Sequence, residues 1–191
     1  VALPEGRLTG FEALIRWQSP EIGFVSPARF IPLAERNGLI HPIGQWVMAE
    51  SCRFAKKLAE MGYGNLRVSV NVSGQQFCRE DFLDSVQCIL DGSGVSVKQI
   101  ELEITETAVL KSLDEAVEKL HRLREYGLQV SLDDFGTGYS SLNYLLQLPF
   151  DTLKIDKSFI DMIGLEAKGG QIIEAIMSLA HVLEKSVIAE G

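Results

Sequence analysis

The chain is predicted to fold as a parallel β/α barrel of the α/β class, and three observations lead there. Short runs rich in Val, Ile and Leu recur along its 191 residues with the length of buried strands. Segments with helical spacing of apolar residues separate most of these runs, giving a succession of strand-helix units. Oxygen-bearing side chains stand at the tail ends of the runs: Glu12, Asn71, Glu103, Asp133 with Asp134, and Glu190. The carboxyl ends of the strands are where such barrels carry their sites.

Arg7 to Trp17 reads as the first strand, with Leu8, Phe11, Ala13, Ile15 and Trp17 as packing positions, followed by a loop through Pro20 and Gly23. Ser26 then suits an N-cap, Pro27 the first helical position, and Gly38 a stop after Asn37. A second helix is expected from Pro42 to Met61, with Ile43, Trp46, Val47, Phe54 and Leu58 on one face and Gly62 at its end. Leu66 to Val72 reads as strand and Glu80 to Leu90 as helix, with Phe82, Val86 and Ile89 apolar; Gly92-Ser93-Gly94 breaks before a strand from Gln99 to Ile104. Ser112 and Glu115 have capping-box spacing, so a helix should fill Leu113 to Tyr126 and stop at Gly127. Leu128 to Leu132 and Thr152 to Ile155 are short strands around a helical turn near Ser140 to Leu146, and a helix from Gly170 to Glu184 feeds the strand that ends at Glu190. About six strands result where eight close a barrel, so roughly two are missing, and truncation at both ends is expected.

A hydrophobic content of 46% with 23% charge is that of an ordinary soluble globular domain, and one incomplete domain over residues 1–191 is expected. The formal charge of -8 and the pI near 4.9 exclude a protein that grips DNA or RNA duplexes by their phosphates. An anionic substrate would need metal ions to approach. Cys52, Cys78 and Cys88 are odd in number and lack the close pairing of zinc sites, which reads as reduced packing thiols in the cytoplasm. No apolar run approaches a membrane span and no signal-peptide pattern opens the chain, so no direct membrane insertion is expected.

Carboxylates crowded at one barrel mouth repel one another unless cations offset their charge, so the sequence calls for divalent metal. The scattered His41, His121 and His181 offer no zinc-like cluster, while all-oxygen donors suit Mg²⁺ or Mn²⁺. Blander readings stand beside this one. Glu12, Glu103 or Glu190 taken alone reads as a solvated strand-end charge, and Asn71 as a hydrogen-bonded core amide. Lys154 pairs equally well with Asp151 or Asp156 on the surface, and Arg16 with Glu12. Asp134-Phe-Gly136 spells a kinase metal motif, yet no glycine-rich nucleotide loop or His-Arg-Asp loop accompanies it.

Six segments in order carry a resemblance: Gly10-Phe-Glu-Ala-Leu-Ile-Arg-Trp17, Ser69-Val-Asn-Val-Ser73, Glu101-Leu-Glu-Ile-Thr-Glu106, Asp133-Asp-Phe-Gly-Thr-Gly-Tyr-Ser-Ser-Leu142, Leu153-Lys-Ile-Asp-Lys-Ser-Phe159 and Ala189-Glu-Gly191. Together they closely resemble the motif series of EAL-type cyclic di-GMP phosphodiesterases. The resemblance implies a triosephosphate-isomerase-type (β/α) barrel with one antiparallel strand, and cleavage of cyclic di-GMP to the linear dinucleotide pGpG with two Mg²⁺ or Mn²⁺ ions. It gives Glu12, Asn71, Glu103 and Asp133 as ligands of one ion, and Asp133, Asp134 and Glu190 as serving the second. Glu12, Lys154 and Glu190 become catalytic residues, Lys154 lying beside the nucleophilic water. Arg16 grips a substrate phosphate, and Phe30 and Pro32 lie near a guanine, although a core role for both stays open. Glu106 anchors the loop after the aspartate pair, with Gly136-Thr-Gly138 as a flexible turn in that loop.

Calcium, larger and more loosely coordinated, is expected to inhibit. The family also implies a homodimer and fusion to sensory or cyclase domains in a longer parent protein, whose membrane anchoring stays open. The family's leading Tyr-Gln-Pro-like strand and its closing Gln-Gly strand have no counterpart here. Two other readings compete: a catalytically inactive cyclic di-GMP receptor, which usually goes with lost metal ligands, and an inactive fragment.

Overall fold

The structure is a computed structural model that describes residues 1–2, 5–136, 142–163 and 169–190. Contacts divide the chain into two compact units, Val1–Leu102 and Glu103–Gly191.

In the first unit, β1 (Gly10–Ala13) is followed by β2 (Trp17–Ser19) and β3 (Gly23–Val25), which pair antiparallel as a separate hairpin. The single strand expected from Arg7 to Trp17 is thus broken, and Leu8, Phe11 and Trp17 are 41%, 39% and 44% exposed, with Phe11 still meeting Phe54 and Trp17 meeting Phe30 edge-on. The hairpin was hidden because Pro20 reads as loop, whereas Gly23, at φ 74°, turns the chain back. Helix α1 (Pro27–Arg36) opens on Ser26 and Pro27 and gives way at Asn37 and Gly38, as expected, although the Ser26 side chain makes no capping hydrogen bond.

Helix α2 (Ile40–Glu60) carries Pro42 in its first turn, where no intrahelical N–H is lost. Its buried stripe is Met48, Ser51, Cys52, Ala55 and Leu58; Trp46 and Phe54, expected on that face, are exposed. Small side chains at 51, 52 and 55 let the helix lie close to its neighbours, which are β4 (Arg67–Val72) and, after the one-turn helix α3 (Gly74–Phe77), α4 (Phe82–Ser93). Ser73 and Gln76 close a complete capping box on α3, a short helix without a periodic signal. Helix α4 runs through Ser93 and ends on left-handed Gly94, burying Phe82, Leu83, Val86 and Leu90. Full burial of each such side chain stabilises by about 1.5–3 kcal/mol.

Strand β4 alternates, with Val68, Val70 and Val72 buried and Arg67, Ser69 and Asn71 on the other face. It pairs in parallel with β1, and the sheet order of this unit is β1-β4-β5, where β5 (Ile100–Thr105) carries the chain into the second unit.

The second unit has the order β5-β6-β7-β8. After the short α5 (Glu106–Leu110), α6 spans Leu113–Tyr126 with Gly127 left-handed at its end, as expected, but the Ser112 side chain makes no cap bond. Its Leu120 and Leu123 are buried, as are Val130 and Leu132 of β6 (Gln129–Phe135), against which it packs. The helical turn α7 (Leu142–Leu145) precedes β7 (Thr152–Ile155); most of the turn motif Gly136-Thr-Gly138 lies outside the described residues. Then come α8 (Lys157–Asp161), capped by the Asp156 side chain, α9 (Gly169–Val182) and β8 (Ser186–Ala189). β7 pairs in parallel with both β6 and β8. Among the described residues no helix is long and apolar enough to cross a membrane.

Candidate functional site

Alternation along the strands decides which polar groups meet in the second unit. Leu153 and Ile155 of β7 occupy one face, so Lys154 points to the other, where Asp133 of β6 and Glu190, just past β8, share its side. Glu103 has the same parity on β5, opposite Leu102 and Ile104. The result is a buried ionic cluster. Lys154 Nζ lies 2.8 Å from Glu103 Oε2, 2.6 Å from Glu190 Oε1 and 3.5 Å from Asp133 Oδ1. The Glu103 contact is an ion pair whose angles miss those of a hydrogen bond. Burial by itself would lower the Lys154 pKa; the charges of Glu103, Glu190 and Asp133 outweigh it and hold the ammonium above the usual lysine range. The surface pairing with Asp151 or Asp156 is not formed: Asp151 instead binds Arg124 at 2.9 Å.

Asp133 and Asp134 follow one another, yet a regular strand would send them to opposite faces. Between Leu132 and Phe135 the register slips against Leu153 and Ile155, three steps on β6 against two on β7, and Asp134 is left-handed at φ 55°. This bulge holds the Asp134 N–H on Asp133 Oδ1 at 2.9 Å. The Asp134 carboxyl is pushed above its ordinary range, first by burial and then by the charges of Asp133 and Asp156. Immediately after the strand, the Gly136 N–H donates to buried Glu106 Oε2 at 3.1 Å.

In the first unit, Glu12 of β1 lies opposite Ser69, two residues before Asn71, and Asn71 Nδ2 donates to Glu12 Oε1 at 2.8 Å. Asn71 is therefore an exposed amide, not a core one. Arg16 does not pair with Glu12; its guanidinium donates to the Ile15 carbonyl at 2.9 Å and is exposed. Both Glu12 and Arg16 line a cleft of about 340 Å³ between β1 and α2, walled by Phe11, Trp46, Glu50 and Phe54. Phe30 is buried edge-on against Trp17, 5.7 Å between ring centroids, while Pro32 on the same helix is exposed.

Residues 1–191 match the EAL domain family throughout. The chain belongs to that family. It is 42% identical, over its full length, to the cyclic di-GMP phosphodiesterase NbdA of Pseudomonas aeruginosa, of which it covers 24%. It is 39% identical to the bifunctional diguanylate cyclase/cyclic di-GMP phosphodiesterase MucR of the same organism, covering 28%. The chain thus spans about a quarter of the length of these curated relatives. A solved structure of the PaMucR phosphodiesterase in complex with c-di-GMP superposes with a TM-score of 0.94 at 39% identity, over 98% of this chain and 76% of that one. The β/α-barrel class expected from the sequence is the fold of these EAL domains.

The EAL domain's donor set is all oxygen, which suits a hard divalent cation. Two observations test that fit. Three carboxylates already converge on a cation, the Lys154 ammonium, and the Asp134 carboxyl beside them is raised first by its burial and then by the charges of Asp133 and Asp156. Among the described residues no group of three His, Cys, Asp or Glu side chains is gathered in metal-holding geometry; Lys154 is what joins Glu103, Asp133 and Glu190. Sequence reasoning missed Arg67, which lies 3.5 Å from buried Glu101 at the opposite end of β5, and Gln99, whose amide bridges the Ala55 and Leu66 carbonyls. The signal for Arg67 was available: Glu101 has the same strand parity as Glu103 and needs a buried partner.

Proposed function

We propose that the chain hydrolyses cyclic di-GMP to the linear dinucleotide pGpG with two Mg²⁺ or Mn²⁺ ions, in bacterial second-messenger signalling in the cytoplasm. The observation that carries this reading is the buried Lys154 ammonium within 2.6 to 3.5 Å of three carboxylates. Kinship with proteins named cyclic di-GMP phosphodiesterase supports it, as does likeness to a phosphodiesterase solved with c-di-GMP. An oxygen donor also stands at every ligand position the resemblance names.

In this reading Glu12, Asn71, Glu103 and Asp133 hold one ion, and Asp133, Asp134 and Glu190 serve the other. When bound, divalent ions supply a more acidic water and offset charge growing on the phosphodiester. Water oxygen attacks phosphorus, the bond to the ribose 3′-oxygen breaks, and that oxygen leaves with a proton. Lys154 orients the attacking water and stabilises negative charge through an ammonium held positive by its neighbours. Arg16, exposed on the cleft beside Glu12, offers a fork of donors to a phosphate. Glu106 keeps Gly136, and with it the exit from the aspartate pair, in place. Phe30, buried under Trp17, supports the guanine-side segment from below, and exposed Pro32 meets the base. Homodimerisation and attachment to sensory or cyclase domains complete the proposal.

The test is to incubate the purified chain with cyclic di-GMP and Mn²⁺ and separate the products by chromatography. Linear dinucleotide supports the reading; binding without product makes the chain a receptor, and the absence of both binding and product leaves the nucleotide no role.

A further inference from the structure

We infer that Lys154 is a built-in counter-cation that competes with divalent metal for Glu103, Asp133 and Glu190, and so sets how tightly this chain takes metal up. The inference rests on the metal-dependent reading above and goes beyond a role for Lys154 at the attacked phosphorus.

The geometry makes competition unavoidable. Lys154 Nζ sits 2.8 Å from a Glu103 oxygen and 2.6 Å from a Glu190 oxygen, so its charge already neutralises oxygens that the proposed ligands would offer to metal. A small divalent ion needs those oxygens at about 2.0–2.1 Å. Two cations drawing on one oxygen stand a few ångströms apart and repel. The side chains of Lys154 and Glu103 are 4% and 2% exposed, so little solvent screens that repulsion. Nor does the ammonium have far to retreat: its strand is hydrogen-bonded on both sides, with Lys154 in register with Ile188, and Leu153 and Ile155 are buried beside it. In return, one positive charge holds three carboxylates together that would otherwise push apart, which keeps the ligand oxygens assembled while metal is scarce.

The experiment titrates MnCl₂ into chelator-treated chain by calorimetry, comparing wild type with Lys154→Met, which keeps the stem's length and apolar character, and Lys154→Arg, which keeps the charge. Removing a unit charge a few ångströms from a divalent ion should tighten Mn²⁺ binding by about tenfold or more in Lys154→Met. Lys154→Arg should stay near wild type. Lys154→Met should also melt lower than wild type when stripped of metal, and gain more on adding Mn²⁺. Wild type that binds Mn²⁺ alongside Lys154→Met that binds it no more tightly overturns the counter-cation role and leaves the metal-dependent reading intact. If neither binds Mn²⁺, both fall. Should Lys154→Met fail to fold, ¹⁵N NMR of the lysine ammonium groups in wild type decides the matter. The Lys154 signal must shift or lose its slow proton exchange as Mg²⁺ is added, and an unmoved signal at saturating Mg²⁺ overturns the inference.

Discussion

The Glu106 carboxylate, at the first residue of α5, accepts a hydrogen bond from the Gly136 backbone at the exit of β6, 3.1 Å from Oε2 to nitrogen. Glu106 is 2% exposed while Gly136 is exposed, so the bond joins a buried, charged acceptor to a donor at the surface. Glu106→Ala should lower stability by about 1–3 kcal/mol and shift the Mn²⁺ needed for half-maximal activity upward, with high Mn²⁺ restoring part of the rate. Glu106→Gln, which retains an acceptor oxygen, should lose less. Unchanged activity of the alanine variant at limiting Mn²⁺ would contradict the anchoring role.

The partner side of the same contact gives an independent check. Gly136 has φ 96°, and a Cβ built there would stand 2.7 Å from the Phe159 ring. Gly136→Ala should therefore cost about 1–3 kcal/mol, from backbone strain together with ring displacement. Adding Phe159→Ala removes the overlap but not the strain, so the double variant should fall short of the sum of the two single losses in a denaturant titration. Strict additivity would mean that the ring and the glycine do not meet.

Much of this architecture was legible because its signals are local. The four apolar-edged residues Thr152 to Ile155 and the Gly127 stop after Tyr126 fix β7 and α6 to the residue. Helices α5 and α8, at five residues each, are too short to show a period, and they went unseen. The extension of β6 through Asp133 and Asp134 was hidden for a different reason. Two charges in succession read as a strand's end, and the left-handed bulge that accommodates them exists only against β7. The candidate site divides the same way. Its residues were named by their motifs, whereas the partners of Lys154 were not legible, since the nearby Asp151 and Asp156 look like better ion-pair candidates than Glu103, 51 positions away. Parallel pairing, which brings remote residues of equal parity together, is a property of the sheet and not of any segment in it.

The thiols correct one reading from composition. All three cysteines were expected to pack, but only Cys52 is buried, and its burial pushes the thiol pKa up; Cys78 and Cys88 are exposed. A disulfide exchange reagent at mildly alkaline pH should modify two thiols quickly and the third only on unfolding, because a thiol with a raised pKa supplies little thiolate. Three fast thiols in the native chain would place Cys52 outside the core.

Calcium offers a test of how closely the oxygen donors define the ion. Ca²⁺ takes oxygens at 2.3–2.6 Å in loose geometry, whereas Mg²⁺ demands a near-octahedral shell. It should compete with Mn²⁺ for the chain in calorimetry while supporting little cleavage, so that adding it to a Mn²⁺ assay slows product formation. Equal rates with both ions would count against a tightly arranged pair of metals.

Glu12 separates catalytic from structural worth more cleanly than any other residue of the set. It is exposed, and its described partner, the Asn71 amide 2.8 Å away, is exposed too. Water can replace a hydrogen bond of this kind on either side, so Glu12→Ala should change stability by no more than about 1 kcal/mol. If Glu12 holds metal as proposed, its loss should nevertheless reduce turnover of cyclic di-GMP by roughly 10³-fold. Asn71→Ala shares the stability argument but removes what the proposal makes a neutral ligand, and should cost less rate. Paired melting curves and product chromatography on the two variants read both quantities. A Glu12→Ala chain that melts like wild type and keeps most of its rate would remove Glu12 from the metal site, and a chain that loses rate only because it no longer folds would show that the strand end needs this carboxylate for packing.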